Sequence, residues 1–201
     1  MYAAKAAGKG RAELFSPAMH TAALTRLQLK ADLQRALDRG ELAVHYQPIV
    51  ALETGEITGL EALARWQHPG RGLVGPAGFI PLAEETGLIL SVGARVLAVA
   101  CRAARDWQEA FPRAKPLGIG VNLSAKEFTD ARLADTVAAV LEQTGLAPDS
   151  LVIELTESVL VADLDATAAR LAALRALHVQ VALDDFGTGY SSLSYLHRFP
   201  V

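Results

Sequence analysis

The chain has 201 residues, of which 51% are hydrophobic and 20% are charged, with a net charge of −3 and one cysteine. This composition excludes wholesale disorder, a disulfide-stapled secreted fold and general nucleic-acid binding, which requires a basic surface. No apolar run approaches the roughly 18–20 residues of a membrane span, and the start lacks a signal peptide's apolar stretch. We therefore expect a globular, cytoplasmic segment without direct membrane insertion, although missing N-terminal regions of a parent protein could anchor it.

The first half of the chain predicts helices on either side of a β-hairpin. Residues 3–7 are typical of a helix end, Ser16-Pro17 of a linker, and 20–39 of a helix that Gly40 ends. Two short apolar runs flank a four-residue turn signal, a connection too short for a crossover helix, so these strands are expected to pair antiparallel. The remaining predictions are strands over 44–52 and 57–66, a loop over 69–76, and helices over 78–86 and 88–110.

From residue 117 onward, predicted strands alternate with predicted helices. This order predicts a parallel sheet with right-handed crossovers. The strands are apolar, which is typical of strands buried on both faces. We predict strands over 117–123, 151–155 and 179–183, and helices over 126–144, 165–177 and 191–198.

Polar side chains stand at or near the C-terminal ends of four successive predicted strands: Glu61, Asn122, Glu154 and the pair Asp184-Asp185. In a (β/α) barrel these ends meet on one face. Carboxylates brought together there repel one another and are costly to bury, and a hard divalent cation relieves both problems. Oxygen ligands suit Mg²⁺, Mn²⁺ or Ca²⁺ rather than zinc, and two ions about 3.5–4 Å apart are typical of phosphodiester cleavage.

Several residues keep simpler interpretations. A lone Asp or Asn at a strand end is more often a turn former or helix N-cap, although agreement across four strands argues against this for the whole set. Cys101 lies in an Ala- and Val-rich helix and is expected to be a core thiol. Arg65 could bind phosphate or form a surface ion pair, and Gly187-Thr188-Gly189 could hold phosphate or form a mobile loop.

At these residues the chain resembles an EAL domain, the family of cyclic di-GMP phosphodiesterases, over roughly residues 27–201. The resemblance implies an α/β fold: a partial TIM-like (β/α) barrel with one antiparallel strand near its start, lacking its last strands and helices. The matching motifs, in chain order, are Tyr46-Gln47-Pro48, Glu61-Ala62-Leu63-Ala64-Arg65-Trp66, Phe79-Ile80-Pro81-Leu82-Ala83-Glu84, Val121-Asn122-Leu123-Ser124, Glu154-Leu155-Thr156-Glu157, and the run from Asp184 to Leu193.

The resemblance assigns a role to each matching residue. It implies a first Mg²⁺ or Mn²⁺ held by Glu61, Asn122, Glu154 and Asp184, and a second facing Asp184 and Asp185. Glu61, Asp184 and Asp185 are thereby the expected catalytic residues, and Gln47, Leu63 and Arg65 the expected contacts to the dinucleotide. The implied loop that couples homodimerisation to activity contains Phe186, Gly187, Thr188 and Gly189, and Glu157 is its expected anchor. The implied reaction converts cyclic di-GMP to linear pGpG in bacterial signalling.

Residues 1–11 resemble the last helix of a GGDEF domain, the diguanylate cyclase family, although an ordinary Ala-rich helix with a basic end is the alternative. The expected domains are 1–20, a GGDEF remnant with linker, and 21–201, an EAL domain incomplete at its C-terminus. In the family, later strands bring a lysine that assists the attacking water and a further metal-binding glutamate. We therefore expect the parent protein to be the enzyme and this chain alone to hydrolyse cyclic di-GMP negligibly.

Two other hypotheses remain open at this point. One is a non-catalytic EAL-type domain that senses cyclic di-GMP or docks a protein partner. The other is an open partial barrel that self-associates through the edge of its last strand.

Overall fold

The computed structural model describes residues 17–156, 159 and 163–184. The helices over this part of the chain are α1 (Pro17–Arg39), α2 (Pro76–Thr86), α3 (Ile89–Ala110), α4 (Ala125–Thr129), α5 (Leu133–Thr144) and α6 (Leu164–Ala176). The strands are β1 (Leu42–Val50), β2 (Ile57–His68), β3 (Gly72–Val74), β4 (Gly118–Leu123), β5 (Leu151–Thr156) and β6 (Gln180–Asp184). A short 3₁₀ helix, Pro148–Ser150, precedes β5.

These strands form one sheet in the order β1-β2-β4-β5-β6, with β3 paired to β2 outside this path. The predicted hairpin is confirmed, because β1 and β2 pair antiparallel from Leu42 opposite Trp66 to Val50 opposite Ile57. The predicted parallel arrangement is also confirmed for β2, β4, β5 and β6. The sheet with its helices is therefore a mixed α/β fold in the form of an incomplete barrel.

One face of the sheet carries the hydrophobic core. Ile119, Val121, Ile153 and Leu155 alternate along β4 and β5 and are fully buried. On the hairpin, Tyr46 faces the same side, because its ring meets the Trp107 ring of α3 edge-on at 4.7 Å. Residues one position along each strand therefore face the opposite side, away from these helices.

The long helix α3 covers much of this core. Its buried residues recur at helical spacing, so one stripe of the helix faces the sheet. Cys101 is fully buried within that stripe, and burial raises the pKa of its thiol to about 12, as expected of a core thiol. Among the described helices none combines the length and apolar character required to cross a membrane.

Three sequence predictions were wrong in detail. The expected single helix over 126–144 is two helices, because Asp130 adopts an extended backbone and its carboxylate accepts a hydrogen bond from the Arg132 amide at 2.9 Å. The expected loop over 69–76 contains the short strand β3, which pairs with the end of β2. The later strands are not buried on both faces: β5 alternates between buried and half-buried residues. The helices predicted over 3–7 and 191–198 lie outside the described residues.

The packing of β5 gives a stability prediction. Replacing the fully buried Ile153 with Ala leaves a cavity between sheet and helices, so we expect a loss of about 2–5 kcal/mol in the free energy of unfolding. The control is Leu52→Ala at the fully exposed hairpin turn, which should change it by less than about 0.5 kcal/mol. Urea denaturation of the two variants and the wild type measures both effects, and equal losses would contradict the assigned core.

Candidate functional site

The strand register places the predicted site residues on the sheet face opposite the core. Gln47 pairs with Glu61, and Glu61 pairs with Gly120. Asn122, two residues beyond Gly120, pairs with Glu154. Because paired residues point to the same side of a sheet and residues two apart share a face, all these side chains project from one surface.

The remaining predicted residues of β2 and β6 extend this polar face. Asp184 pairs with Thr156, which lies two residues beyond Glu154. Leu63 and Arg65 follow Glu61 at intervals of two along β2. Glu61 is in the middle of β2 rather than at its end, since β2 continues to His68 through its pairing with β1 and β3. Its parallel pairing with β4, however, ends at Ala62, so Glu61 does lie near the end of the parallel ladder.

Glu61 and Asn122 are in direct contact across β2 and β4. The side-chain amide of Asn122 donates a hydrogen bond to Glu61 Oε1 at 2.7 Å. This bond leaves the amide oxygen of Asn122 and the second oxygen of Glu61 as possible ligands for a cation. The two strands thus bring a carboxylate and an amide together, and their role in a metal site stays a prediction.

Glu154 lies in an environment that disfavours its charged form. Burial, followed by repulsion from the carboxylates of Glu61 and Asp184, raises the pKa of Glu154 to about 7. Gly120 makes room for this carboxyl group, because a Cβ atom at position 120 would lie 2.2 Å from Glu154 Oε1. The Glu154 side chain therefore leans from β5 over the β4 backbone, in the direction of β2.

The donor set fits a hard divalent cation. All its donor atoms are side-chain oxygens on adjacent strands. The carboxylates of Glu61 and Asp184 repel that of Glu154, and a bound cation would reduce this repulsion. No three His, Cys, Asp or Glu side chains of residues 17–156, 159 and 163–184 converge closely enough to hold an ion by themselves. The predicted set also includes the Asn122 amide and Asp185, and Asp185 lies outside the described residues.

The three predicted dinucleotide contacts lie on the hairpin beside these carboxylates. Gln47 is exposed opposite Glu61, while Leu63 and Arg65 are half-buried on the rungs above it. One guanidinium nitrogen of Arg65, Nη1, donates to the carbonyl oxygen of Ala64 at 2.9 Å. Arg65 forms no ion pair with any described residue. The described residues therefore do not support the alternative that Arg65 serves in a surface ion pair.

The predicted regulatory loop lies outside the described residues. Glu157 and the residues Phe186, Gly187, Thr188 and Gly189 lie outside the described part, as does Asp185. Their assigned roles stay predictions.

Two residues near the site escaped the sequence analysis. The sequence pattern does not distinguish Gly120 from the rest of its strand, because its importance depends on which side chain of β5 leans over it. Glu127 was treated as part of a helix, although Ser124-x-x-Glu127 has the residue pattern of a capping box. That pattern predicts a helix start directly after β4, which the structure shows at Ala125.

Comparison with known proteins finds one matching family. The family described as "EAL domain" matches residues 30–201. MucR of Pseudomonas aeruginosa, described as a bifunctional diguanylate cyclase/cyclic di-GMP phosphodiesterase, is 46% identical over 200 residues, which are 100% of this chain and 29% of MucR. NbdA of the same organism, a cyclic di-GMP phosphodiesterase, is 44% identical over 201 residues, 100% of this chain and 25% of NbdA.

A solved structure agrees with these relatives. The phosphodiesterase of Pseudomonas aeruginosa MucR in complex with c-di-GMP superposes with a TM-score of 0.82 at 47% identity, covering 87% of this chain and 70% of that one. The chain spans only between a quarter and a third of the full length of MucR and NbdA.

The raised pKa of Glu154 predicts a pH-dependent stability in metal-free protein. The folded protein holds a proton that the unfolded chain releases between the ordinary pKa of 4.5 and about 7. The free energy of unfolding therefore loses this contribution as the pH rises through that window. Glu154→Gln carries no titrating proton, so its stability relative to the wild type should increase from pH 4.5 to 7 and then level off.

Urea denaturation in the presence of a chelator, across this pH range, measures the difference between the two proteins. All other titrating groups are common to both, so the difference isolates Glu154. Parallel pH profiles would contradict the assigned environment of this carboxyl group.

Proposed function

The chain belongs to the EAL domain family, and we propose that it binds cyclic di-GMP on the polar face of its sheet and provides the residues that hydrolyse it to linear pGpG. The observation that carries this proposal is the shared face of Gln47, Glu61, Asn122, Glu154 and Asp184. The names of MucR and NbdA and the c-di-GMP complex of MucR support the choice of substrate.

The metal site we propose uses the oxygen donors of this face. Glu61, Asn122, Glu154 and Asp184 would hold one Mg²⁺ or Mn²⁺, and Asp185 with Asp184 would face a second. When bound, such ions lower the pKa of a coordinated water and neutralise charge that develops on the phosphate. The Asn122–Glu61 hydrogen bond orients one Glu61 oxygen, so the other remains available.

Substrate recognition is assigned to the hairpin. Arg65 has nitrogens beyond Nη1 that make no hydrogen bond to any described residue, and a guanidinium group matches phosphate geometry. Gln47 offers an amide that can both donate and accept hydrogen bonds to a base edge. Leu63 lies on the rung between these two polar residues and gives an apolar contact for a base.

The wider assignments stay proposals as well. We propose that residues 1–20 are the end of a GGDEF domain with a linker, in keeping with MucR, whose match extends over the whole of this chain and whose name includes a diguanylate cyclase. Residues 21–201 are then the EAL domain. Homodimerisation, a cytoplasmic location and loop regulation through Glu157 and residues 186–189 follow from family resemblance alone.

The catalytic proposal predicts that Glu61→Gln lowers kcat/KM for cyclic di-GMP hydrolysis by at least about 100-fold, because a metal ligand is lost. Asn122→Ala should have an effect in the same direction. Chromatographic measurement of pGpG, with Mg²⁺ and with the whole protein in which residues 1–201 occur, provides the test. Glu53→Gln at the exposed hairpin turn is the matched control and should leave the rate unchanged.

Hydrolysis unaffected by Glu61→Gln would overturn the catalytic assignment. Tight binding of cyclic di-GMP by the wild type without any pGpG would instead favour the sensor hypothesis.

The recognition proposal predicts a different response from Arg65. Arg65→Lys keeps the charge but removes the planar fork of donors, so we expect about a tenfold loss of affinity for cyclic di-GMP with little change in metal binding. Calorimetric titrations with the metal alone and then with cyclic di-GMP measure the two affinities separately. A loss of metal affinity equal to the loss of ligand affinity would assign Arg65 a structural role instead.

A further inference from the structure

The chain turns sharply just after Asn122. Asn122 is the next-to-last residue of β4, and Ser124, two residues later, is the N-cap of α4. The turn therefore begins directly beside the residue whose amide donates a hydrogen bond to Glu61.

Glu127 holds the turn through three hydrogen bonds to one residue. Its Oε2 accepts from the Ser124 amide at 2.9 Å and from the Ser124 hydroxyl at 2.5 Å. In return the Glu127 amide donates to Ser124 Oγ at 3.3 Å. This reciprocal pair is a complete capping box, which satisfies two backbone N–H groups at the start of α4.

The Glu127 carboxylate is also packed against the core helix α3. Its side chain is buried, with 6% of the residue exposed. A Cβ atom at Gly93 would lie 1.5 Å from Glu127 Oε1, so the absence of a side chain at position 93 is what admits the carboxylate. The turn after Asn122 is thereby fastened to α3 and not only to itself.

Capping this five-residue helix with a buried carboxyl group costs the free energy of removing the carboxylate from water. Burial raises the pKa of Glu127, and the nearby Glu84 carboxylate acts in the same direction. No Lys or Arg of the described residues forms an ion pair with Glu127, and the neighbouring Lys126 ammonium donates to the Glu84 carbonyl oxygen instead.

We propose that Glu127 is a positioning residue for Asn122: by holding Ser124 against α3 at Gly93, it keeps the Asn122 amide over Glu61 in the orientation that the cation site requires. This inference rests on the proposed function, because it deepens the role of Asn122 there. Glu127 itself lies outside the ligand set.

The test compares Glu127→Leu, which removes the hydrogen bonds, with Glu127→Gln, which keeps an oxygen acceptor for Ser124. The whole protein is titrated with Mn²⁺ while free Mn²⁺ is followed by electron paramagnetic resonance. We expect Glu127→Leu to weaken Mn²⁺ binding about tenfold or more, as for other residues that orient a ligand, and Glu127→Gln to restore it to within about threefold of the wild type. Gly93→Ala displaces the same carboxylate from the opposite side and should weaken Mn²⁺ binding in the same way.

Val140→Ala is the matched control, since Val140 is a buried residue of α5 outside this turn. It should lower the thermal midpoint while leaving Mn²⁺ affinity unchanged. The proposal is overturned if Glu127→Leu lowers only the thermal midpoint, or if Glu127→Gln binds Mn²⁺ as poorly as Glu127→Leu.

A double-mutant cycle in metal-free protein separates this inference from the proposed function. If Glu127 positions Asn122, the Asn122→Ala substitution should change the unfolding equilibrium constant by at least about twofold less in the Glu127→Leu background than in the wild type. Additive effects overturn the positioning role. Absence of Mn²⁺ binding by the wild type, with coupling still present in the cycle, would overturn the proposed function and leave the positioning of Asn122 supported.

Discussion

The architecture of this protein depends on the two-residue repeat of its β-strands. Paired residues of β1, β2, β4, β5 and β6 are in a register that gives the sheet one apolar face and one polar face. A shift by a single residue in any strand would move its polar side chains into the core. Ile119 and Ile153 are fully buried, and a one-residue shift would expose them. Their burial therefore keeps Asn122 and Glu154 on the opposite face.

Three carboxylates of the described residues share the polar face: Glu61, Glu154 and Asp184. Burial of Glu154, followed by repulsion from the Glu61 and Asp184 carboxylates, raises its pKa to about 7. A cation at this face would reverse that shift, since it favours ionised carboxylates. If these side chains bind the proposed cation, metal binding, proton release and stability are linked in one group of side chains.

Much of this organisation could be predicted from the chain, and the exceptions have physical causes. Glycines with positive φ end helices or turns at Gly40, Gly87 and Gly145, and those boundaries were predictable because other residues rarely adopt this conformation. The break at Asp130 was missed because an apolar helical pattern continues across it. The exposed second face of β5 was missed because apolar strand composition does not reveal whether a strand is covered on both sides.

The candidate site shows the same division. That four polar residues share a face could be predicted from their places on successive strands. The Asn122–Glu61 hydrogen bond and the space that Gly120 leaves for Glu154 could not, because both depend on cross-strand register. The importance of Glu127 depends in addition on Gly93, which is distant in the sequence and contributes only by lacking a side chain.

Strand β2 is longer than its parallel neighbour β4. This difference separates Glu61, a proposed metal ligand, from Leu63 and Arg65, the proposed dinucleotide contacts. Parallel pairing with β4 ends at Ala62, whereas β2 continues in the antiparallel hairpin to Trp66 and beside β3 to His68. Glu61 is thus embedded in the main sheet, while Leu63 and Arg65 stand on rungs that only the hairpin supports. Substitutions on those outer rungs leave the backbone pairing of the parallel ladder unchanged, so the proposed ligand contacts can differ between related chains while the proposed ion-binding face stays the same.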